Sequence, residues 1–148
     1  MKREVRPGEK GFTFFEILVV VTIIGLLAAL VGPRIWSRVT GGKQVAAKAQ
    51  IELFGTALDA FRLDIGRYPT SEEGLKALRE KLSGEENWQG PYLSKEIPVD
   101  PWKNAYVYRC PGEHGEYDII SYGADKTEGG EGESLDVVSW QDVKDIAK

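Results

Sequence analysis

The sequence predicts an α+β protein in which one long N-terminal helix, with a transmembrane first half, packs against a small antiparallel β-sheet domain. Three observations predict this fold: an unbroken apolar run near the N-terminus, a helical apolar periodicity after it, and short strand-like segments between prolines and glycines in the last third. The chain has 148 residues, which suffices for one modest domain plus an appendage.

The apolar run covers residues 12–31 and contains a single charged residue, Glu16. At about 1.5 Å per residue it would span roughly 30 Å, the thickness of a bilayer core. The first ten residues carry four basic and two acidic side chains, so we expect this flank to stay cytoplasmic and the C-terminal part to lie across the membrane. A secretory signal peptide is the competing interpretation, but its apolar region is usually only about 7–15 residues long.

Glu16 is an unusual residue for this position, because a carboxylate at the centre of a bilayer costs about 2.5–3.5 kcal/mol on insertion scales. One interpretation is that its side chain reaches the membrane interface. The other is that a second chain supplies a positive partner. Cleavage between Gly11 and Phe12 would create such a group, a free amine at the new N-terminus.

The helix is predicted to extend from about Phe12 to Ile65. Pro33 lacks a backbone donor and restricts Gly32, so a kink or local unwinding is expected there. Apolar residues then recur at spacings of four, three and four, which predicts one buried helical face. These residues are Phe54, Leu58, Phe61 and Ile65.

The rest of the chain predicts short elements. Residues 70–82 favour a second short helix, while 105–108 and 117–120 favour strands separated by a turn at residues 111–112. Residues 137–146 are compatible with either a final strand or a short helix. Together they predict a small antiparallel sheet that covers the apolar face of the long helix.

Composition excludes several functions. No cluster of basic and aromatic residues indicates nucleic-acid binding. Cys110 is the single cysteine, so an internal disulfide cannot form. Cys110 and the single histidine, His114, have no evident third group to orient them, and we expect a protein that is not an enzyme.

An acidic loop, residues 125–136, is the candidate ion-binding segment. It contains five carboxylates, and three glycines that permit tight turns. Hard cations such as calcium require 6–8 oxygen ligands at about 2.3–2.6 Å. The loop does not match the EF-hand pattern, because Thr127 and Gly129 occupy ligand positions and Asp136 replaces the final glutamate. A solvated acidic turn explains the composition equally well.

Residues 10–16, Lys-Gly-Phe-Thr-Phe-Phe-Glu, resemble the prepilin peptidase site of type IV pilins and type II secretion pseudopilins. Five further segments resemble the major pseudopilin, or protein G, family of type II secretion systems, so that the resemblance covers nearly the whole chain. These segments are residues 68–75, 90–93, 98–106, 111–118 and 121–136.

The resemblance implies a type IV pilin-like fold and three functional parts. A leader, residues 1–11, is removed by prepilin peptidase between Gly11 and Phe12, and Phe12 is then N-methylated. A hydrophobic helix, residues 12–33, serves for membrane anchoring and for assembly, in which Glu16 takes part. A periplasmic domain, residues 34–148, follows.

The implied function is that of the major structural subunit of the periplasmic pseudopilus that drives type II protein secretion. Such a subunit is held in the inner membrane by lipid contacts and then forms a homopolymeric filament. Its other implied partners are minor pseudopilins, the inner-membrane assembly platform and prepilin peptidase.

The resemblance also implies a structural calcium ion in the acidic loop, acting as a clip where disulfides are absent. The implied ligands are Asp125 and Asp136, with Tyr122 (through its carbonyl) and Ser134 as weaker candidates and Glu131 and Glu133 in doubtful register.

Two other functions stay open at this stage. Adhesive or motility type IV pilins often carry a C-terminal cysteine pair, which the single Cys110 does not match. A membrane-anchored enzyme or sensor would need a polar constellation that the sequence does not show.

Overall fold

A computed structural model describes residues 11–142, and for residues 32–40 the backbone alone. Contacts divide the chain between Ser37 and Arg38 into two compact units. One long helix and three antiparallel strands confirm the predicted α+β fold. The elements are α1 (Phe14–Ile65), a 3-10 turn (Leu75–Leu78), β1 (Val107–Arg109), β2 (Asp118–Ser121), a second 3-10 turn (Gly132–Ser134) and β3 (Val137–Val138).

Helix α1 begins two residues later than predicted because Thr13 caps it. The Thr13 hydroxyl accepts a hydrogen bond from the backbone N–H of Glu16 at 3.2 Å. Threonine before the first turn and glutamate three residues later form the sequence pattern of a capping box. An acidic side chain in the first turn also interacts favourably with the positive end of the helix dipole.

Of the kink or local unwinding predicted at Gly32 and Pro33, the unwinding was wrong, since the backbone of α1 is helical throughout, and the kink stays a prediction. A proline in a helix interior removes one hydrogen bond and clashes with the preceding turn, at a cost of about 3 kcal/mol. In a helix of 52 residues the remaining backbone bonds suffice to keep the segment helical.

The first part of α1 carries an apolar surface that none of the described residues covers. Its segment Phe14–Val31 has a mean hydropathy of 2.8, and none of it is buried. Length and composition fit a membrane span, although an N-terminal signal sequence would meet the same criteria. A helix that is apolar around its circumference requires lipid or other helices as its surroundings.

The second part of α1 forms the base of the core. Phe54, Leu58 and Phe61 are fully buried, which confirms the predicted apolar face, and Ile65 lies at its rim. Burying a large apolar side chain stabilises a fold by about 1.5–3 kcal/mol. This face therefore provides much of the driving force for folding of the C-terminal unit. The residues that complete the core are Ala47, Ile51, Ala57, Leu75, Ala77, Leu78, Tyr108, Ile119 and Val137.

The sheet has the strand order β1-β2-β3, with both pairs antiparallel. Central strand β2 is buried at all four residues. Tyr108 pairs with Ile119, and Ile120 pairs with Val138. The C-terminal segment therefore begins as a strand, while the part of that prediction beyond residue 142 lies outside the described residues.

The second helix predicted over residues 70–82 is reduced to the single 3-10 turn Leu75–Leu78. Thr70 and Glu73 close the preceding turn, because the Glu73 carboxylate accepts the Thr70 N–H at 2.7 Å. Gly74 then takes a φ of 59°, which a continuing helix does not permit. Arg67 binds Glu73 with two hydrogen bonds and lowers the pKa of that carboxyl to about 2.

Candidate functional sites in the N-terminal helix and the acidic loop

The bond between Gly11 and Phe12 lies outside the regular helix. Both residues are exposed, Phe12 to 76%, and they precede the first residue of α1 by two positions or more. A protease needs an extended substrate whose backbone hydrogen bonds are not committed to a helix. The predicted processing site meets the second requirement, since Gly11 and Phe12 lie outside the helix.

Glu16 lies one turn after that bond and is exposed. Its backbone N–H is satisfied by Thr13, so the cap does not use its carboxylate. Within residues 11–142, the Glu16 side chain makes no ion pair. A positive partner for this carboxylate must come from outside the described part of the chain.

The acidic loop connects β2 to β3. Ser121 pairs with Val137 across the sheet, so the strands hold both ends of the loop close together. The connection has a first arm, residues 122–125 after β2, and a second arm, residues 132–136 before β3. The two arms are joined once more where the Ala124 N–H donates to the Glu133 carbonyl at 2.9 Å. The chain between these arms is exposed.

Asp136 is the residue of the loop whose carboxylate is in an unfavourable electrostatic environment. Its Oδ2 accepts the Gly129 N–H at 2.8 Å, but its buried Oδ1 has no hydrogen-bond partner in the described structure. Burial, and then the nearby charges of Glu128 and Asp125, raise the pKa of Asp136 against the opposing effect of the Gly129 N–H. A buried acceptor without a partner costs about 1–3 kcal/mol. A cation at Oδ1 would remove that cost.

The other predicted ligands are only partly brought together. Asp125 is exposed, and its Oδ1 accepts the Thr127 N–H at 3.2 Å. Ser134 lies in the second 3-10 turn, where its carbonyl approaches Gly130 so closely that a Cβ there would lie 2.6 Å away. No group of three or more His, Cys, Asp or Glu side chains is arranged to hold a metal within residues 11–142. A cation here would need backbone carbonyls, such as that of Tyr122, as well as carboxylates.

Of the two doubtful candidates, Glu131 is exposed immediately before the second 3-10 turn. Glu133 is directed towards helix α1 instead. The Lys43 ammonium donates to both of its carboxylate oxygens, at 3.1 and 3.2 Å. That contact joins residues 90 positions apart in the sequence.

Sequence reasoning missed three polar residues of α1, of which Lys43 and Gln44 contact the loop and Lys48 contacts the chain at and after the end of β3. Gln44 Nε2 donates to the Gly132 carbonyl at 2.8 Å, next to the Lys43 contact. Lys48, which is 4% exposed, donates to the carbonyls of Val138 and Ser139 at 3.0 Å. A polar residue on a helix gives no local signal of such a distant partner.

A buried network supports the first arm of the loop. Asp100 is 3% exposed, and its Oδ1 accepts the N–H groups of Trp102 at 3.0 Å and Asn104 at 2.7 Å. Its Oδ2 accepts the Ser121 hydroxyl at 2.6 Å. Aspartate followed by such backbone contacts is typical of a side-chain-stabilised turn, which was the available sequence signal.

The network reaches the loop through Gly123. Asn104 Nδ2 donates to the Gly123 carbonyl at 2.7 Å. Gly123 has a φ of 62°, and a Cβ there would lie 2.6 Å from the Glu133 carbonyl oxygen. Glycine is therefore required where the chain leaves β2.

Cys110 and His114 are not paired with each other. The Cys110 thiol donates to the Glu116 carbonyl at 3.4 Å. His114 Nδ1 lies 3.2 Å from Asp118 Oδ2, and its ring stacks on Trp140 with centroids 3.7 Å apart. Both side chains thus serve local packing and hydrogen bonding.

Comparisons with known families agree with this geometry. The profile described as type II secretion system, protein G, matches residues 34–140. The profile described as the prokaryotic N-terminal methylation motif matches residues 6–32, which include the predicted cleavage site and Glu16. The two matches together account for most of the chain.

Relatives and a solved structure extend the comparison. The type II secretion system core protein G of Pseudomonas aeruginosa is 44% identical over 138 residues, covering 91% of this chain and 97% of that protein. The protein of the same name from Vibrio cholerae is 41% identical, with 89% and 92% coverage. The crystal structure of the major pseudopilin from the type 2 secretion system of enterohaemorrhagic Escherichia coli has a TM-score of 0.57 and 31% identity, covering 67% of this chain and 87% of that one.

Proposed function

Because the chain belongs to the type II secretion system protein G family, we propose that it is the major structural subunit of a periplasmic pseudopilus that drives type II protein secretion. The observation that carries this function is the exposed apolar segment Phe14–Val31 with one acidic residue in its first turn. In this proposal the role of the protein is structural rather than catalytic.

The apolar segment suits two successive environments. In the inner membrane, lipid covers its surface, and the part of the chain that follows it lies in the periplasm. In the filament, the corresponding segments of neighbouring copies replace the lipid. Since both surroundings are apolar, transfer from one to the other requires little net change in the hydrophobic contribution, and specific contacts decide the equilibrium.

Glu16 provides such a contact. Its carboxylate makes no ion pair within the described residues, and cleavage before Phe12 would give each copy a free amine. We assign the Phe12 amine of an adjacent subunit as the partner of Glu16, which would fix the register between copies. Prepilin peptidase, minor pseudopilins and the inner-membrane assembly platform are the further partners in this proposal.

Intact-mass measurement of the protein from a host with prepilin peptidase tests the processing step. We expect loss of residues 1–11 and gain of one methyl group at Phe12, because the bond after Gly11 is exposed and outside the helix. Gly11→Leu is the control, since a bulky side chain beside the cleaved bond should preserve the full-length mass. A wild-type protein that keeps its leader and remains monomeric beside the other secretion components would contradict the proposed function.

We propose in addition that the acidic loop holds a structural calcium ion. Asp125 and Asp136 would supply side-chain oxygens, Tyr122 its carbonyl, and Ser134 a further oxygen. The buried, unpartnered Oδ1 of Asp136 beside other carboxylates supports this assignment. Calcium prefers such hard oxygen ligands, and its charge would offset the mutual repulsion of these groups.

Calcium removal is expected to lower the melting temperature of the full chain in detergent. A ligand that binds only the folded state at 100 times its Kd adds about 2.7 kcal/mol of stability. Asp125→Ala should remove most of the difference between calcium and chelator, whereas Glu80→Ala, at an exposed acid outside the loop, should preserve it. Identical melting curves of the wild type with excess calcium and with chelator would refute the site.

A further inference from the structure

Helix α1 holds the second arm of the acidic loop from outside the loop. Lys43 binds both carboxylate oxygens of Glu133, and Gln44 binds the neighbouring Gly132 carbonyl. The two contacts come from consecutive helical residues and reach consecutive loop residues. They fix this arm in both position and orientation.

Burial distinguishes these contacts from ordinary surface ion pairs. Gln44 is 7% exposed, and the Lys43 and Glu133 side chains are 33% and 27% exposed. The Lys43 ammonium also lies 6.0 Å from the centroid of the Trp102 ring. Exposed ion pairs contribute little to stability because water and salt screen them. Lys43, Gln44 and Glu133 are partly buried, so this screening is weaker here.

The second arm is connected directly to the candidate calcium ligands on both sides. The Glu133 carbonyl accepts the Ala124 N–H, immediately before Asp125. On the other side, the chain continues through Ser134 to Asp136. The anchored arm thus lies between the two side-chain ligands in the sequence and is bonded to the start of the loop in space.

We propose that Lys43 and Gln44 are positioning residues that preorganise the acidic loop for its cation, and that the bound cation in turn stabilises the α1 turn beginning at Lys43. This inference rests on the calcium site proposed above. Preorganisation raises affinity because less chain entropy is lost on binding. Thermodynamic linkage requires the reciprocal effect on the helix, which at this point follows two consecutive glycines, Gly41 and Gly42.

The test uses the full chain in detergent and calcium as the titrant in isothermal titration calorimetry. The double variant Lys43→Met/Gln44→Leu keeps the apolar stems of both side chains but removes their donors. We expect its calcium affinity to fall about tenfold or more, within the range of typical coupling between linked sites. Each single variant should fall by less, which gives folded alternatives if the double variant is unstable.

A matched control is Lys48→Met. Lys48 lies on the same helix but binds carbonyls of Val138 and Ser139, beyond the loop. This variant should lower the melting temperature yet leave calcium affinity within about twofold, because the loop itself is not anchored by Lys48. Equal weakening by Lys48→Met would show general loosening and overturn the proposal.

Amide hydrogen exchange supplies the second readout. Calcium should slow exchange over residues 43–48 in the wild type and have little effect there in the double variant. Wild-type affinity in the double variant would overturn the positioning role alone. A wild type that binds no calcium would overturn both this inference and the calcium site, while leaving the proposed role in the filament intact.

Discussion

Replacing Glu16 with alanine is expected to leave membrane insertion intact and to abolish filament assembly. Removing the carboxylate makes the segment more apolar, by up to about 2.5–3.5 kcal/mol, which is the value for a charge at mid-bilayer, so insertion cannot be what fails. The helix cap also survives, because Thr13 accepts the backbone N–H of residue 16 and not its side chain. Apart from the favourable interaction with the helix dipole, only a contact made outside the described residues is lost.

The size of the effect follows from the environment of the proposed charge pair. Removing one partner of a buried pair costs about 3–5 kcal/mol, which corresponds to a factor of roughly 100 or more in each subunit-association constant. Membrane fractionation would measure insertion, and electron microscopy of sheared filaments would measure assembly. Glu52→Ala, at an exposed glutamate later in α1, is the control and should assemble. Normal filaments from Glu16→Ala would rule out charge pairing.

The long helix could be predicted because its signals are local. The apolar run and the recurrence at Phe54, Leu58 and Phe61 depend only on residues within a few turns of one another, and the structure confirms both. The errors arose where local patterns competed. Leu75 and Leu78 have helical spacing, but the Thr70–Glu73 cap and the positive φ of Gly74 limit that segment to one turn.

The candidate calcium loop shows what local sequence patterns cannot predict. Its carboxylates and glycines are visible in the sequence, and the buried, unpartnered Oδ1 of Asp136 fits the expected binding of a cation. The side chains that hold the loop cannot be recognised in the sequence, because Lys43 and Gln44 bind loop residues that are 90 and 88 positions away. Glu133, a doubtful ligand in the sequence, instead binds Lys43. Folding brings these groups together through the core, which no local pattern encodes.

Asp100→Ala is expected to cause the largest loss of stability among single substitutions in the C-terminal unit that we consider. The buried carboxylate accepts hydrogen bonds from Trp102, Asn104 and Ser121, and alanine would leave all three donors without this partner. Each buried unsatisfied group costs about 1–3 kcal/mol, so we expect a destabilisation of about 3 kcal/mol or more. For a unit of this size, that lowers the melting temperature by about 10 °C or more.

Comparison of two substitutions separates loss of hydrogen bonds from loss of volume. Asp100→Asn keeps the shape and one carbonyl oxygen, which can still accept the N–H groups of Trp102 and Asn104, so its destabilisation should be well below that of Asp100→Ala. Asp142→Ala, at an exposed aspartate, is the control and should melt as the wild type does. Melting followed by circular dichroism measures all three variants, and an Asp100→Ala variant that melts within 1 °C of wild type would contradict the assigned network.

Because Asn104 also holds the Gly123 carbonyl just before the acidic loop, Asp100→Ala should reduce the stabilisation gained from calcium as well. A buried aspartate outside the loop would thereby control a site whose ligands it does not touch.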